Sequence, residues 1–137
     1  MAPESISIKR KRMGEIVFRM KREYPDSQCS LHYETPFQLL VSTILSAQCT
    51  DDRVNRVTHK LFAKYPHVED LSKLPLETIK KKIYSTGFYN NKAKSIKGMA
   101  EAVVGKYKGE LPKTLEEMIK LPGVGRKTAN VVLGNIY

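Results

Sequence analysis

Apolar residues recur along this chain at helical rather than alternating spacing. Met13, Ile16, Val17, Met20 and Tyr24 follow the i, i+3, i+4, i+7 pattern of an amphipathic helix, which must end before Pro25. Thr35-Pro36 supplies an N-cap and a first-turn proline to a segment whose Phe37, Leu40, Val41, Ile44 and Leu45 are apolar enough to predict a buried helix. Thr50 caps the next, where Asp51 and Asp52 suit a helix N-terminus and Val54, Val57, Leu61 and Phe62 face inward as far as Tyr65-Pro66. A short helical turn then leads to a segment running from Leu74-Pro75 to Thr86-Gly87, where glycine can close a helix in the left-handed conformation. Phe88 to Asn91 are predicted as loop. Ala93, Ile96, Ala100, Val103 and Tyr107 continue the helical period to Lys108-Gly109. Thr114 and Glu117 have capping-box spacing, and after Leu121-Pro122-Gly123-Val124-Gly125 a last helix starts near Arg126, with Ala129, Val132, Leu133 and Ile136 as its buried stripe. No window alternates apolar and polar residues with the β-branched enrichment of a strand, so the predicted fold class is all-α.

The 137 residues, 41% of them hydrophobic, fit one domain with a modest core. The charge changes the picture more. Lys and Arg number 24 against 14 Asp and Glu, a formal charge of +10, which favours a polyanionic partner, nucleic acid first. Charge alone fits a basic protein without such a partner equally well. The first 22 residues hold Lys9, Arg10, Lys11, Arg12, Arg19, Lys21 and Arg22 against Glu4 and Glu15, a phosphate contact or simply a solvated helix face. Cys29 and Cys49 have neither CxxC spacing nor a nearby ligand cluster, so no metal site is expected and a reduced, cytoplasmic protein fits. The most hydrophobic stretch, Phe37 to Leu45, is far shorter than the roughly 20 residues needed to span a bilayer, so no membrane partner is expected.

The string LPGVGRKTAN joins two predicted helices through a glycine-bearing turn. Glycines there can take positive φ and let backbone amides approach an anion, which the positive end of the following helix also favours. A Gly-x-Gly alone also describes an ordinary turn between helices. The whole string is more specific: LPGVGRKTA resembles the helix-hairpin-helix of endonuclease III-family DNA glycosylases. LLVSTILSAQCTD resembles that family's early buried helix and its following loop, and GFYNNKAKSI its second, hairpin-like loop.

The resemblance implies a six-helix helix-hairpin-helix glycosylase domain at 31–137, with the hairpin at about 114–136, preceded by an N-terminal helix and linker at 1–30. It implies base-excision repair on double-stranded DNA, with removal of damaged pyrimidines and cleavage at abasic sites. Lys127 matches the family's Schiff-base lysine. Gln48 matches the residue that fills the gap left by the extruded nucleotide, and Phe88 the apolar wedge on the opposite strand. Asn90, Gly123, Val124, Gly125, Arg126 and Thr128 complete the implied DNA contacts. Taken alone, Lys127 also reads as one more surface lysine, Gln48 as a polar helix end and Phe88 as a core aromatic. Base extrusion costs a few kcal/mol of lost stacking and pairing, so such an enzyme needs side chains to occupy the hole.

The resembled family continues into a segment with an essential aspartate and four cysteines that hold a 4Fe-4S cluster, whereas this sequence ends at Tyr137. No cofactor is therefore expected in the chain itself, since the cluster needs four thiolates beyond Tyr137. A truncated form lacking most of the second domain is the expectation, with a non-catalytic helix-hairpin-helix DNA-binding module as the alternative. Asp51 and Asp52 are explained as helix-start residues and are not expected to replace the aspartate. No obligate protein partner is expected. The apolar stripe of Ile16, Val17 and Met20 is expected to be partly exposed, because in the resembled family the first helix docks on the second domain. Location in the cytoplasm, associated with the nucleoid, follows from the same resemblance.

Overall fold

The computed structural model describes residues 9–13 and 30–137, and among them every regular element is helical. Residues 9–13 are helical and Met13 is exposed. Ile16, Val17, Met20 and Tyr24, which carry most of the predicted first stripe, and Cys29 lie outside the described residues.

Helix α1 (Pro36–Leu45) occupies the centre, as its sequence requires. Eight of its ten residues are buried, including Phe37, Leu39, Leu40, Val41 and Leu45, and a helix apolar on every side has no solvent face to offer. Thr35 accepts a hydrogen bond from the Gln38 amide at 3.2 Å and Pro36 takes the first helical position. The buried Gln38 side chain is satisfied at both ends, donating to the Pro66 carbonyl at 3.1 Å and accepting from the Glu34 amide at 2.9 Å. Helix α2 (Asp51–Lys64) packs against α1 with Val54, Val57, Thr58 and Leu61 inward, and Thr50 accepts from the Arg53 amide.

The short α3 (Val68–Lys73) and α4 (Leu76–Ile83) both pack against α5 (Tyr89–Tyr107). A 3₁₀ turn, Tyr84–Thr86, follows α4. The predicted loop of Phe88 to Asn91 is shorter than expected: Phe88 is itself the N-cap of α5, in the left-handed region at φ 47°, so Tyr89, Asn90 and Asn91 are helical. At 19 residues α5 is about 28 Å long. Its buried stripe is Lys92, Ala93, Ile96, Met99, Ala100 and Val103, an apolar row headed by a cation.

Helix α6 (Leu115–Met118) is capped by Thr114, which accepts from the Glu117 amide at 3.3 Å. The reciprocal half of the expected capping box is absent, because the Glu117 carboxylate instead accepts from the Tyr107 hydroxyl at 2.7 Å and the Lys120 ammonium at 3.0 Å. Helix α7 (Arg126–Ile136) packs on α1 and α6 through Ala129 and Val132, while Leu133 and Ile136 of the predicted stripe are only half-buried.

The turn between α6 and α7 rests directly on α5. A Cβ on Gly123, whose φ is 73°, would lie 2.2 Å from the Ser95 Cβ, and one on Gly98 would lie 3.1 Å from the Pro122 Cβ. Gly123 is thus fixed twice, by conformation and by space. A Cβ on Gly125 meets nothing within 4 Å. Gly123→Ala is therefore expected to destabilise the chain by about 1–3 kcal/mol, whereas Gly125→Ala should stay within about 0.5 kcal/mol of wild type. Equal urea midpoints for the two variants would contradict this packing.

Candidate nucleic-acid interface

The α6–α7 turn is closed by the Val124 amide, which donates to the Leu121 carbonyl at 3.1 Å. Val124 is also 5% exposed, so of the expected contact residues it is the one whose amide is already engaged. Only Gly123 of the two hairpin glycines has positive φ. Gly125, at φ −89° and ψ 178°, is extended, and what its missing side chain supplies is open approach to the backbone. Among the described residues, the amides of Gly123, Gly125, Arg126, Lys127 and Thr128 have no acceptor in the protein, and the first intrahelical bond is made by Ala129 to the Gly125 carbonyl at 2.9 Å.

The start of α7 has no acidic residue and no side-chain cap. It carries the exposed Arg126 and Lys127 at the end of the helix dipole that repels cations. Free amides, a dipole end and two positive side chains, neither of them in an ion pair among the described residues, converge on one surface, an arrangement that favours an anion.

Lys127 also borders a cleft of 520 Å³ between the end of α1 and the face of α7, whose lining includes Ser46, Gln48, Asp51, Thr128 and Asn135. The structure thus places Lys127, Gln48 and Thr128 at one cleft. It adds Asp51, treated in the sequence only as a helix-start residue, whose carboxylate accepts a hydrogen bond from Ser30. Gln48 is exposed and left-handed, φ 52°, in the turn that follows α1. Phe88 is 63% exposed, which excludes the core-aromatic reading, and it follows Gly87, itself at φ 76°. Tyr84 beside it is equally exposed and packs on Tyr89 at 4.7 Å between ring centroids. Asn90 is exposed in the first turn of α5. Gln48 and Phe88 are thus two of the three non-glycine residues with positive φ among the described residues, the third being Lys108.

A family model described as "HhH-GPD superfamily base excision DNA repair protein" matches residues 41–133, from the second half of α1 through the turns bearing Gln48 and Phe88 to the hairpin. The chain belongs to this family. Endonuclease III of Synechocystis sp. is 51% identical over 129 residues, covering 94% of this chain and 59% of that protein. Endonuclease III of Bacillus subtilis is 50% identical over 110 residues, covering 80% of this chain and 50% of that protein. A solved structure of a non-covalent endonuclease III–DNA complex superposes with a TM-score of 0.84 at 43% identity, covering 93% of this chain and 59% of that one. A thermostable thymine-DNA glycosylase superposes with a TM-score of 0.78 at 28% identity. The chain therefore spans less than two thirds of the length of these relatives.

The iron-sulfur cluster implied by the resemblance does not fit the residues present. The sequence has two cysteines where four thiolates are needed. Among the described residues, no three His, Cys, Asp or Glu side chains gather where they could hold a metal, and Cys49 is a half-buried thiol in the Gln48 turn. No helix among them is long and apolar enough to cross a membrane.

One residue of this region was missed from the sequence. Lys92 is only 5% exposed, and its ammonium donates at 2.8 Å to the carbonyls of both Leu45 and Thr86. Burial pushes its pKa below the usual lysine value, while the nearby Cys49 opposes the shift. Its position was the available signal, since it precedes Ile96 by four residues and Met99 by seven, in line with an apolar stripe.

Beneath the hairpin, the hydrogen bond from Tyr107 holds the Glu117 carboxyl below the usual glutamate range, with Lys120 adding to the effect. The same bond raises the Tyr107 pKa. A depressed folded-state carboxyl pKa contributes stability that is present above the unfolded value and is lost as pH falls through the folded one. Tyr107→Phe should therefore move the Glu117 titration, read by carboxyl NMR shifts, upward toward the ordinary glutamate range and weaken its acid-side contribution. An unmoved Glu117 midpoint would show that Tyr107 does not brace α6.

Proposed function

We propose that this chain is the hairpin-bearing part of an endonuclease III-type DNA glycosylase and AP lyase, acting in base-excision repair on damaged pyrimidines and abasic sites in duplex DNA. The observation that carries the reading is the start of α7, where free amides and the cations Arg126 and Lys127 face outward, and where Lys127 borders the cleft shared with Gln48. The family, and relatives that include an endonuclease III–DNA complex, support it.

In this reading a phosphate sits on the amides of Gly123, Gly125 and Arg126, which orients the strand without reading its sequence. Lys127 and Thr128 then lie within the first turn of α7, facing the nucleotide. Gln48 fills the space from which that nucleotide is extruded, and Phe88, with Asn90 beside it, enters from the other strand. Lys127, as the free amine, adds to the sugar carbon C1′; at a damaged nucleotide this breaks the glycosidic bond, and the base departs with its electron pair and takes up a proton. At an abasic site that carbon is an aldehyde, so addition followed by loss of water leaves a Schiff base joining Lys127 to the DNA. Proton loss at the adjacent carbon then breaks the bond to the 3′ phosphate oxygen and cuts the strand. The 520 Å³ cleft supplies the surroundings in which a displaced nucleotide is held against the amine.

Two measurements test this. Binding to duplex DNA should weaken steeply with salt, because phosphate contacts release condensed counterions, and Gly125→Val should lower affinity at fixed salt without lowering the thermal midpoint, since the added side chain meets only open space in the protein. Unchanged affinity would remove the hairpin as the grip. Incubation with abasic DNA and borohydride should trap a covalent adduct, hydride reducing the imine to a stable secondary amine, and Lys127→Gln should trap none. Wild-type protein that binds abasic DNA but forms no adduct would make this a non-catalytic DNA-binding module, and equal trapping by Lys127→Gln would move the reaction to another amine.

A further inference from the structure

The two side chains assigned to enter the duplex, Gln48 and Phe88, stand on separate turns forty residues apart in sequence. Each turn is conformationally costly, since a non-glycine residue at positive φ persists only where its surroundings over-determine it. Their own hydrogen bonds hold each turn only within itself. The Gln48 turn is held by the Ala47 amide on the Ile44 carbonyl at 3.5 Å and the Cys49 amide on the Ser46 carbonyl at 3.1 Å, and the Phe88 turn by the Gly87 amide on the Tyr84 carbonyl at 3.2 Å.

What joins the two turns is Lys92. Leu45 is the last residue of α1, three before Gln48, and its carbonyl is one of those a helix end leaves without an intrahelical donor. Thr86 ends the 3₁₀ turn, two residues before Phe88. The Lys92 ammonium donates to both carbonyls at 2.8 Å, and the Lys92 amide donates to the Phe88 carbonyl at 3.1 Å. These are charge-assisted bonds made by a side chain only 5% exposed, where they are stronger and more exacting than on the open surface. The cation also sits at the negative end of α1. Among the described residues no carboxylate pairs with it, and its ammonium is directed at these two backbone positions.

We propose that Lys92 is a positioning residue that fastens the Gln48 turn to the Phe88 turn, so that the two side chains enter the duplex as one rigid unit. A stable core alone would not need a lysine here. An apolar side chain continuing the stripe of Ile96 and Met99 fills such a position without desolvating a charge. The lysine is required where two carbonyls on different turns must keep a fixed separation.

The inference rests on the proposed DNA-binding function, and the test separates the two. The probe is a duplex with an abasic-site analogue and 2-aminopurine at the neighbouring pair, whose fluorescence rises when the base is unstacked. It is read at saturating protein so that affinity drops out. Wild type should raise the signal, Gln48→Ala and Phe88→Ala should each lower the rise, and Lys92→Met should lower it at least fivefold. In the Gln48→Ala/Phe88→Ala background, Lys92→Met should change nothing further. A further loss there as large as in the wild-type background would make Lys92 merely structural and overturn the proposal. If the two single variants lower the rise and Lys92→Met does not, the fastening fails while the insertion reading stands. If neither single variant lowers it, or wild type gives no rise, the insertion reading fails and the fastening with it. Should Lys92→Met not fold, NMR of the wild-type chain decides. On titration with the duplex the buried Lys92 ammonium resonance should shift together with the Gln48 and Phe88 amides, and an unmoved ammonium beside two shifting amides overturns the proposal.

Discussion

Burial of α1 on every side is the constraint from which the rest of the structure follows. Leu39, Leu40, Val41 and Leu45 are fully enclosed, each removal from water contributing about 1.5–3 kcal/mol. Such a helix must be surrounded, and α2, α5 and α7 are the elements that surround it. Because α1 ends at Leu45, its C-terminal end opens directly onto the cleft, between the turn bearing Gln48 and the start of α7. The apolar centre therefore does more than hold the chain together. It fixes where the polar cleft lies and which helix ends meet there.

The elements most legible in the sequence were those whose signals are local. Thr35, Thr50 and Thr114 cap their helices as their spacing indicated, and the hairpin string led to both the fold and the family. Where the outcome depended on distant partners, the sequence said less. The start of α5 was placed too late because its N-cap is Phe88 in a left-handed conformation rather than a Ser, Thr, Asp or Asn, so no ordinary start signal exists. Glu117 had the spacing of a capping box, but Tyr107, ten residues earlier, takes its carboxylate. Lys127, Gln48 and Phe88 were singled out through motif resemblance, and all three are exposed. Lys92 was not, because a lysine is ordinarily assigned to solvent and only the three-dimensional meeting of two chain turns gives it buried acceptors.

The positive charge is unevenly placed. Ion pairs within the described residues engage Lys80, Lys97 and Lys120, each with a glutamate on the same or an adjoining turn. Arg53, Arg56, Lys60, Lys81 and Lys82 instead surround a 330 Å³ concavity between α2 and α4 that contains no carboxylate and reaches Ser85, just before the Phe88 turn. Arg126 and Lys127 are exposed at the start of α7, on the hairpin. Self-repulsion of this kind costs stability in the isolated chain and is relieved by a polyanion, so the charge distribution and the free amides at α7 ask for the same class of partner.

Helix α5 ties these parts together in a way that gives it the character of a measuring rod. Phe88 is its N-cap, and seven residues on, Ser95 lies so close to Gly123 that a single methyl group could not be inserted between them. Seven residues of helix advance about 10 Å and turn through almost two full revolutions. The separation and the relative facing of the hairpin and the protruding aromatic are consequently dictated by helical pitch, not by the flexibility of any loop. Gaining or losing one residue in that interval would swing one of them through about 100° relative to the other.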